Sequence, residues 1–134
     1  MSKQFTLEII TPDRLFFDGK IDELIFNTPT GEVEILYHTL PMVAIVAPGI
    51  INISQNGRKM EAACSEGFVR VADRVTLLVQ TCKWPYEVDE EETSREVKLL
   101  NDKIKKAQSM KEYKMAKALL ALQLAKLKAK EMKY

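Results

Sequence analysis

The apolar residues of this chain change their spacing at one short segment, residues 84–92, and this change limits the folds that the sequence can adopt. Before the segment, apolar residues recur at every second position, which is typical of half-buried strands. After it they recur every three to four positions, which is typical of amphipathic helices. Pro85 lacks a backbone N–H and restricts the residue before it, so neither a strand nor a helix is expected to run through this point. The sequence therefore predicts a β module and a helical module that meet at a joint, residues 84–92.

The β module, residues 1–84, consists of short alternating segments separated by turn residues, with no helical pattern between them. Asn56-Gly57 is the strongest short signal for a two-residue β-hairpin, and Ala72-Asp73-Arg74 marks another hairpin. Many short strands at close spacing indicate an antiparallel sandwich or barrel. A domain of this size buries roughly 60–65 % of its unfolded surface, which is enough for one core. The alternating apolar positions expected to build that core run from Phe5 to Val79.

The chain after the joint predicts two helices. Asp89 can cap the first helix, and the three glutamates that follow it favour the positive N-terminal end. Gln108-Ser109 predicts a turn, so the helices are expected at about 89–108 and 111–131. Their expected apolar faces are Val97, Leu100, Ile104 and Ala107 in the first, and Met115, Ala118, Leu122, Ala125 and Ala129 in the second.

A short connection makes two consecutive helices antiparallel. We therefore predict an α+β fold with an N-terminal antiparallel β-sandwich over residues 1–84. A C-terminal two-helix antiparallel hairpin, the helical hairpin, is expected over residues 85–134.

Composition excludes several classes of protein. Lysine plus arginine, at 20, nearly balance aspartate plus glutamate, at 19, so overall charge gives no argument for nucleic acid. Cys64 and Cys82 have no metal-type spacing and lie on strand patterns, where cysteine usually behaves as a small buried hydrophobe. Two cysteines make no disulfide scaffold, which fits a reducing compartment. Residues 1–20 show no signal-peptide pattern, and no apolar run approaches the ~20 residues that span a bilayer.

No set of residues points to catalysis or metal binding. His38 is the only histidine, and a catalytic base would need a nucleophile and an orienting acid. The acidic run at 87–92 lacks the alternating ligands and central glycine of a calcium loop. The five glycines are scattered at turns and form no phosphate loop. We therefore expect no catalytic residue, no metal and no cofactor.

Residues 111–134 are rich in lysine, with seven lysines against two glutamates. A basic helix with an apolar stripe fits a solvated surface, a contact surface for an acidic protein, or a nucleic-acid site. Nucleic-acid sites usually interleave aromatic residues, and only Tyr113 and Tyr134 are present here. The residues alone therefore indicate a β-sandwich with a partner-binding helical tail.

Several motifs narrow this interpretation. Gly31-Glu32-Val33-Glu34-Ile35-Leu36, followed by Pro41-Met42-Val43, resembles the Gly-Glu-Leu-Gly-Ile-Leu-Pro-x-His-x-Pro signature of the epsilon subunit of bacterial F-type ATP synthases. Ser65-Glu66-Gly67-Phe68-Val69-Arg70-Val71 is similar to the family's Ser-Gly-Gly-Phe-x-x-Val strand, and Val75-Thr76-Leu77-Leu78 to its Val-Thr-Val-Leu strand. The matches keep the family's order along essentially the whole chain. His38 and Thr39 stand where glycine or asparagine and then histidine are usual, so the family histidine is not in place.

The resemblance implies a non-catalytic central-stalk subunit of a rotary motor. In this family the sandwich clamps the gamma subunit and rests on the ring of c subunits, so that rotation couples to proton or sodium flow. The helical hairpin folds against the sandwich or extends along gamma toward the alpha and beta subunits, where it restrains ATP hydrolysis. The implied location is peripheral, at the cytoplasmic face of the bacterial plasma membrane, with contact to the membrane only through the complex.

Three groups of site residues follow from the resemblance. The expected c-ring contacts are Glu32, Thr30, Thr39 and His38, and the expected contacts to the beta or gamma subunit are Lys111, Lys114, Lys117 and Leu122. Val88 and Asp89 resemble the start of the Ile-Asp-x-x-Arg-Ala nucleotide motif that some members carry. Glu92 and Thr93 stand where the motif has arginine and alanine, and Arg95 lies three residues further on. Weak or absent ATP binding is therefore expected.

One alternative remains open at this stage. The chain could be an autonomous binding module that uses its basic helix to bind nucleic acid or an acidic protein. Co-purification with a membrane-bound rotary ATPase would separate the two interpretations.

Overall fold

The chain folds into two five-stranded sheets that pack face to face, followed by two helices; the structure, a computed structural model, describes residues 3–131. The strands are β1 (Phe5–Ile10), β2 (Leu15–Ile21), β3 (Glu23–Thr28), β4 (Gly31–Ile35), β5 (Met42–Val46), β6 (Gly49–Gln55), β7 (Arg58–Cys64), β8 (Gly67–Val71), β9 (Val75–Val79) and β10 (Cys82–Lys83). A short 3₁₀ turn, Pro85–Glu87, precedes the helices α1 (Glu90–Lys106) and α2 (Met110–Glu131). The predicted sandwich with a two-helix C-terminal segment is confirmed.

Strand order defines the two layers. The first sheet runs β2-β1-β9-β8-β5 and the second runs β10-β7-β6-β3-β4. All pairs are antiparallel except β1 with β9, which are parallel. β9 runs antiparallel to β8, its hairpin partner. In this direction β9 lies parallel to β1, its neighbour on the other side.

The two predicted hairpin turns are confirmed. Asn56 and Gly57 connect β6 to β7 and both have positive φ angles, 50° and 81°, as a two-residue hairpin turn requires. Residues 72–74 connect β8 to β9, where Val71 pairs with Val75. These turns set the register that directs alternate side chains into the core.

The core lies between the sheets. Leu7, Phe26, Ile53 and Leu77 are among its completely buried side chains. The core continues beyond Val79, the last of the alternating positions, because Cys82 belongs to the same buried cluster and Trp84 packs against it. The chain thus stays in contact with the sandwich core as it enters the joint.

The helical hairpin, from here on the helices α1 and α2, lies on the outer face of the second sheet, with α2 packed on β6 and β7. Asp89 caps α1 by accepting a hydrogen bond from the backbone N–H of Glu92 at 3.1 Å, as predicted. In the second half of α2, Ala125 and Ala129 pack on Ala63 of β7 and Ile50 of β6. Helix α2 therefore lies between α1 and the sheet.

The predicted apolar stripe of α2 is partly wrong. Met115 is 58 % exposed, whereas Ala116, which was not assigned to the stripe, is buried together with Leu122, Ala125 and Ala129. A helix that packs against two surfaces buries a wider and less regular set of residues than one stripe. Within residues 3–131, no helix is both long enough and apolar enough to span a membrane.

Candidate functional site

The outer face of the first sheet carries an unexpected row of apolar side chains. Register pairs Ile45 with Phe68, Phe68 with Leu78 and Leu78 with Ile10, and Ile10 pairs with Leu15. The five residues, hereafter the apolar row, cross all five strands from β5 to β2. Phe68, at 58 % exposure, lies on β8, next to the edge strand β5, and is the largest side chain of the row.

A groove of about 690 Å³ follows the apolar row. Its walls include Ile10, Pro12, Ile45, Phe68 and Leu78. A two-layer sandwich has no need of apolar side chains on an outer face, and contiguous exposed apolar patches usually mark interaction surfaces. This site was not predicted from the sequence, although β5 is apolar at every position and β9 carries Leu77 next to Leu78, which was a usable signal.

The four residues predicted to contact a c-ring lie along one exposed edge of the second sheet, the edge formed by β4. Thr30 sits in the β3–β4 turn, where its backbone N–H donates to the Thr28 hydroxyl at 3.3 Å, and Glu32 is exposed near the start of β4. His38 and Thr39 follow the other end of β4. The Thr39 hydroxyl accepts a hydrogen bond from the backbone N–H of Leu36 at 2.9 Å.

These four residues form two groups. β4 has five residues, so the two groups are separated by roughly 16 Å at the rise of an extended strand. They share an edge, and a partner that touches all four must run along it. Leu40, in the loop after β4, is 80 % exposed and adds an apolar tip beside His38 and Thr39.

The first half of α2 presents the predicted lysines to solvent. Lys111, Lys114 and Lys117 are exposed, and the Lys117 ammonium lies 5.5 Å from the ring centroid of Tyr113. Leu122 is only 6 % exposed, so in the folded hairpin it is not available to another subunit. The exposed apolar residues of this helix are instead Met110, Met115, Leu119 and Leu124.

Two of the three nucleotide candidates line a polar pocket of about 350 Å³ between the joint and the helical hairpin. Val88 and Asp89 line it, and Arg95 does not. The lining is completed by Lys83, Glu87, Glu92, Thr93, Glu96, Gln123 and Lys126. Four carboxylates thus face two lysines. Burial, and then the proximity of Lys83, lowers the pKa of Lys126.

The remaining candidates are structural. Cys64 and Cys82 are direct neighbours across β7 and β10, and both are buried without forming a disulfide. Burial raises the pKa of the Cys64 thiol to about 12 and also raises that of Cys82. Both thiols therefore stay protonated at neutral pH and serve as small core residues, as predicted. Within residues 3–131, no group of three or more histidine, cysteine or acidic residues is placed to hold a metal ion.

The architecture defines a class of protein, a ten-stranded β-sandwich with an exposed apolar row on one face and two C-terminal helices on the other. Residues 4–85 match the family model described as ATP synthase, Delta/Epsilon chain, beta-sandwich domain. The ATP synthase epsilon chain of Ruminiclostridium cellulolyticum is 34 % identical over 126 residues, 93 % of this chain and 94 % of that relative. The epsilon chain of Caldanaerobacter subterraneus subsp. tengcongensis is 35 % identical over 130 residues, 96 % of this chain and 94 % of that relative.

Solved structures show the same fold. A chain of the Euglena gracilis mitochondrial ATP synthase superimposes with a TM-score of 0.77 at 21 % identity, covering 94 % of this chain and 80 % of that one. A chain of the Tetrahymena thermophila mitochondrial ATP synthase central stalk and c-ring gives a TM-score of 0.62 at 16 % identity, covering 96 % and 98 %. The chain belongs to the ATP synthase delta/epsilon family, as an epsilon-type member. The prediction of a non-catalytic ATP synthase subunit is confirmed, and the autonomous-module alternative is set aside.

Proposed function

We propose that this chain links the gamma subunit to the c-ring in the central stalk of an F-type ATP synthase and restrains ATP hydrolysis through its helical hairpin. The observation that carries the proposal is the apolar row. The helical hairpin covers the outer face of the second sheet, whereas the outer face of the first sheet carries the exposed apolar row beside the polar residues Glu8, Thr76 and Arg70. The sandwich thus has one face for its own helices and one face for a partner.

We assign the apolar row to the gamma subunit. Large aromatic side chains near the centre of an apolar patch usually carry most of the binding energy at protein interfaces. Phe68 is the aromatic side chain of the row, flanked by Ile45 and Leu78, and the groove beside it can receive side chains from the partner. This assignment extends the sequence-based expectation, which named gamma as a partner without naming residues on the sandwich.

The c-ring contacts are assigned to the β4 edge. Glu32 and Thr30 mark one end of this edge, and His38 and Thr39 mark the other. An exposed carboxylate such as Glu32 can pair with polar loops at the surface of a ring. The complex would then sit at the cytoplasmic face of the bacterial plasma membrane and couple to protons or sodium ions, with this subunit peripheral to the membrane.

The helical hairpin is assigned to the restraint of hydrolysis. Lys111, Lys114 and Lys117 are exposed on one half of α2 and can meet an acidic surface of the beta subunit. Leu122 becomes available to gamma or beta only when the hairpin leaves the sandwich, because it is buried in the folded form. The alpha and beta subunits are therefore partners of the extended hairpin.

We propose that the isolated chain binds ATP weakly or not at all. Glu92 and Glu96 line the pocket beside Val88 and Asp89, and their charges repel a polyphosphate. Lys83 and Lys126 are the cations of this pocket, but burial disfavours the charged form of Lys126. Calorimetry with MgATP should show no binding stronger than the millimolar range, and a dissociation constant in the low micromolar range would refute the proposal.

Assembly with purified gamma tests the assignment of the apolar row. Phe68→Asp places a charge in the row at an exposed position, so the sandwich should fold while affinity for gamma falls by about tenfold or more. Leu99→Asp is the matched control, since Leu99 is similarly exposed, at 56 %, but lies on α1. Equal affinities of wild type and Phe68→Asp would refute the assignment.

In the reconstituted complex, Glu32→Arg should impair ATP-driven ion pumping. Unchanged pumping would exclude the β4 edge as the c-ring contact.

A further inference from the structure

One arginine joins the β1–β2 turn to the segment that leads into the helical hairpin. Arg14 Nη2 donates to Glu87 Oε1 at 2.8 Å and to the backbone carbonyl of Cys82 at 3.3 Å. Its guanidinium also lies 5.0 Å from the ring centroid of Phe16. The backbone of Arg14 is fixed in the turn, because the Thr11 N–H donates to the Arg14 carbonyl at 3.0 Å. A single side chain therefore contacts both ends of residues 82–87.

Aromatic stacking connects Trp84, in the middle of the same segment, to strand β2. Trp84 stacks on Phe16 with ring centroids 4.5 Å apart and makes an edge contact with Phe17 at 6.3 Å. The backbone N–H of Trp84 donates to Glu87 Oε1 at 2.9 Å, the same oxygen that Arg14 contacts. Pro85 is buried. Residues 84–87 therefore pack as part of the sandwich, although they follow its last strand.

Two residues outside any helix or strand follow this segment, and the first of them, Val88, is buried at 6 % exposure. Val88 and Asp89 both have extended backbones, with φ and ψ of −87° and 124° and of −90° and 109°. The backbone hydrogen bonds described here are local: Val88 N–H donates to the Pro85 carbonyl, and Thr93 N–H donates to the Asp89 carbonyl. Two extended residues thus connect a fastened turn to a capped helix, which is the geometry of a hinge.

We infer that Arg14, Phe16, Trp84 and Glu87 form a latch that fixes residues 82–87 to the sandwich and sets the pivot of the helical hairpin at Val88-Asp89. Arg14 is the positioning residue, because it contacts Phe16, Glu87 and the Cys82 carbonyl. Without it, residues 84–87 lose their polar contacts with the sandwich and the folded position of the hairpin is less well defined. The regulatory meaning of the latch rests on the proposed restraint of hydrolysis, whereas the latch itself is a property of the isolated chain.

Amide hydrogen exchange on the isolated full-length protein tests the latch. Arg14→Met keeps the aliphatic stem and removes the charge and donors. Exchange at residues 84 and 86–88 should accelerate by about tenfold, since the lost hydrogen bonds involve charged groups. The amides of α2 that face the sandwich should also accelerate, whereas those of β6 and β8 should not. Glu87→Gln, a milder change at the other end of the pair, should give a smaller acceleration at the same amides.

The matched control is Arg74→Met. Arg74 forms a comparable surface ion pair with Glu8 at 3.0 Å in the same module, away from the joint, and its loss should leave exchange at 84–88 unchanged. The double variant Arg14→Glu with Glu87→Arg, which swaps the two charges, should recover part of the protection from amide exchange. Unchanged exchange at 84–88 in Arg14→Met, or equal acceleration throughout the sandwich, would overturn the latch. If Arg14→Met does not fold, Glu87→Gln decides by the same criterion. None of these outcomes depends on ATPase activity, so failure of the latch and failure of the proposed function are separable.

Discussion

Gly67 is the residue at which the sheet leaves no room for a side chain. A Cβ placed there would overlap the backbone carbonyl oxygen of Leu78 on β9 and contact the Val79 side chain at 2.8 Å. The carbonyl cannot move without disturbing the β8–β9 ladder. The close approach of these two strands also shapes one wall of the groove along the apolar row.

Gly67→Ala should therefore lower the free energy of unfolding by about 2–3 kcal/mol, as overpacking against backbone does. Gly19→Ala is the control, since the nearest atom to its Cβ would be the end of the Gln55 side chain at 3.2 Å, which can rotate away. We expect that variant to lose less than about 1 kcal/mol. Denaturant unfolding of both variants measures the difference, and equal losses would contradict the role given to Gly67.

At the scale of elements, the contact between the helical hairpin and the sandwich is small. It is built mainly from Ala125 and Ala129 on Ala63 and Ile50, in contrast to the large side chains of the sandwich core. Little apolar area is buried by alanine, so this contact contributes little free energy compared with the core. The hairpin can therefore separate from the sheet while the sandwich remains folded, which the proposed extended form requires.

Lys126 weakens this contact further. Burial lowers its pKa, with a contribution from Lys83, so the charged side chain opposes the folded hairpin at neutral pH. Between the lowered pKa of Lys126 in the docked hairpin and its ordinary pKa in the undocked hairpin, the undocked lysine binds more protons. Docking therefore strengthens as pH rises through that interval, below the ordinary lysine value of 10.5.

Lys126→Met should remove this opposition. We expect exchange of the α2 amides to slow by roughly threefold near neutral pH, a modest effect because the side chain is only partly buried. The dependence of docking on alkaline pH should disappear in the variant. Lys128→Met, at an exposed position of the same helix, controls for the change in charge and helix propensity. If both variants behave alike, Lys126 has no special part in docking.

The elements themselves were largely predictable, because their signals are local. The two residues Asn56-Gly57 are enough to predict the β6–β7 turn. The cap of α1 follows from Asp89, which stands three residues before Glu92 in the sequence. The apolar row was not predictable in the same way, because register across five strands brings its residues together. Nor was the pairing of Arg14 with Glu87, which are 73 positions apart. The burial of Ala116 in place of Met115 depends on packing against neighbours that the sequence pattern does not specify.

At the scale of the whole molecule, the sandwich separates two surfaces with different tasks. The first sheet exposes the apolar row, which we propose contacts gamma, and the second sheet holds the helical hairpin. The formal net charge of +1 conceals the lysine-rich second helix, which is the charged part of the hairpin that would meet other subunits on extension. Extension also exposes the surface around Ala63 and Ile50, so the extended form needs a partner to cover it.

Removal of all residues after Glu87 separates the two tasks. The ten strands and the Arg14–Glu87 ion pair remain in the shortened chain. We expect a soluble, folded sandwich that still assembles with gamma and the c-ring, because its core does not depend on the helices. The same truncation removes the proposed restraint on hydrolysis.

The initial ATPase rate of the reconstituted complex tests the central claim most directly. It should be compared for the full-length chain, the chain truncated after Glu87, and a variant with Lys111, Lys114 and Lys117 all replaced by glutamate. Single alanines should change little, since exposed ion pairs contribute ~0.2–1 kcal/mol each. The truncated chain should give a faster rate than the full-length chain, and the triple replacement should reproduce much of that increase. Equal rates in all three complexes would contradict a regulatory hairpin.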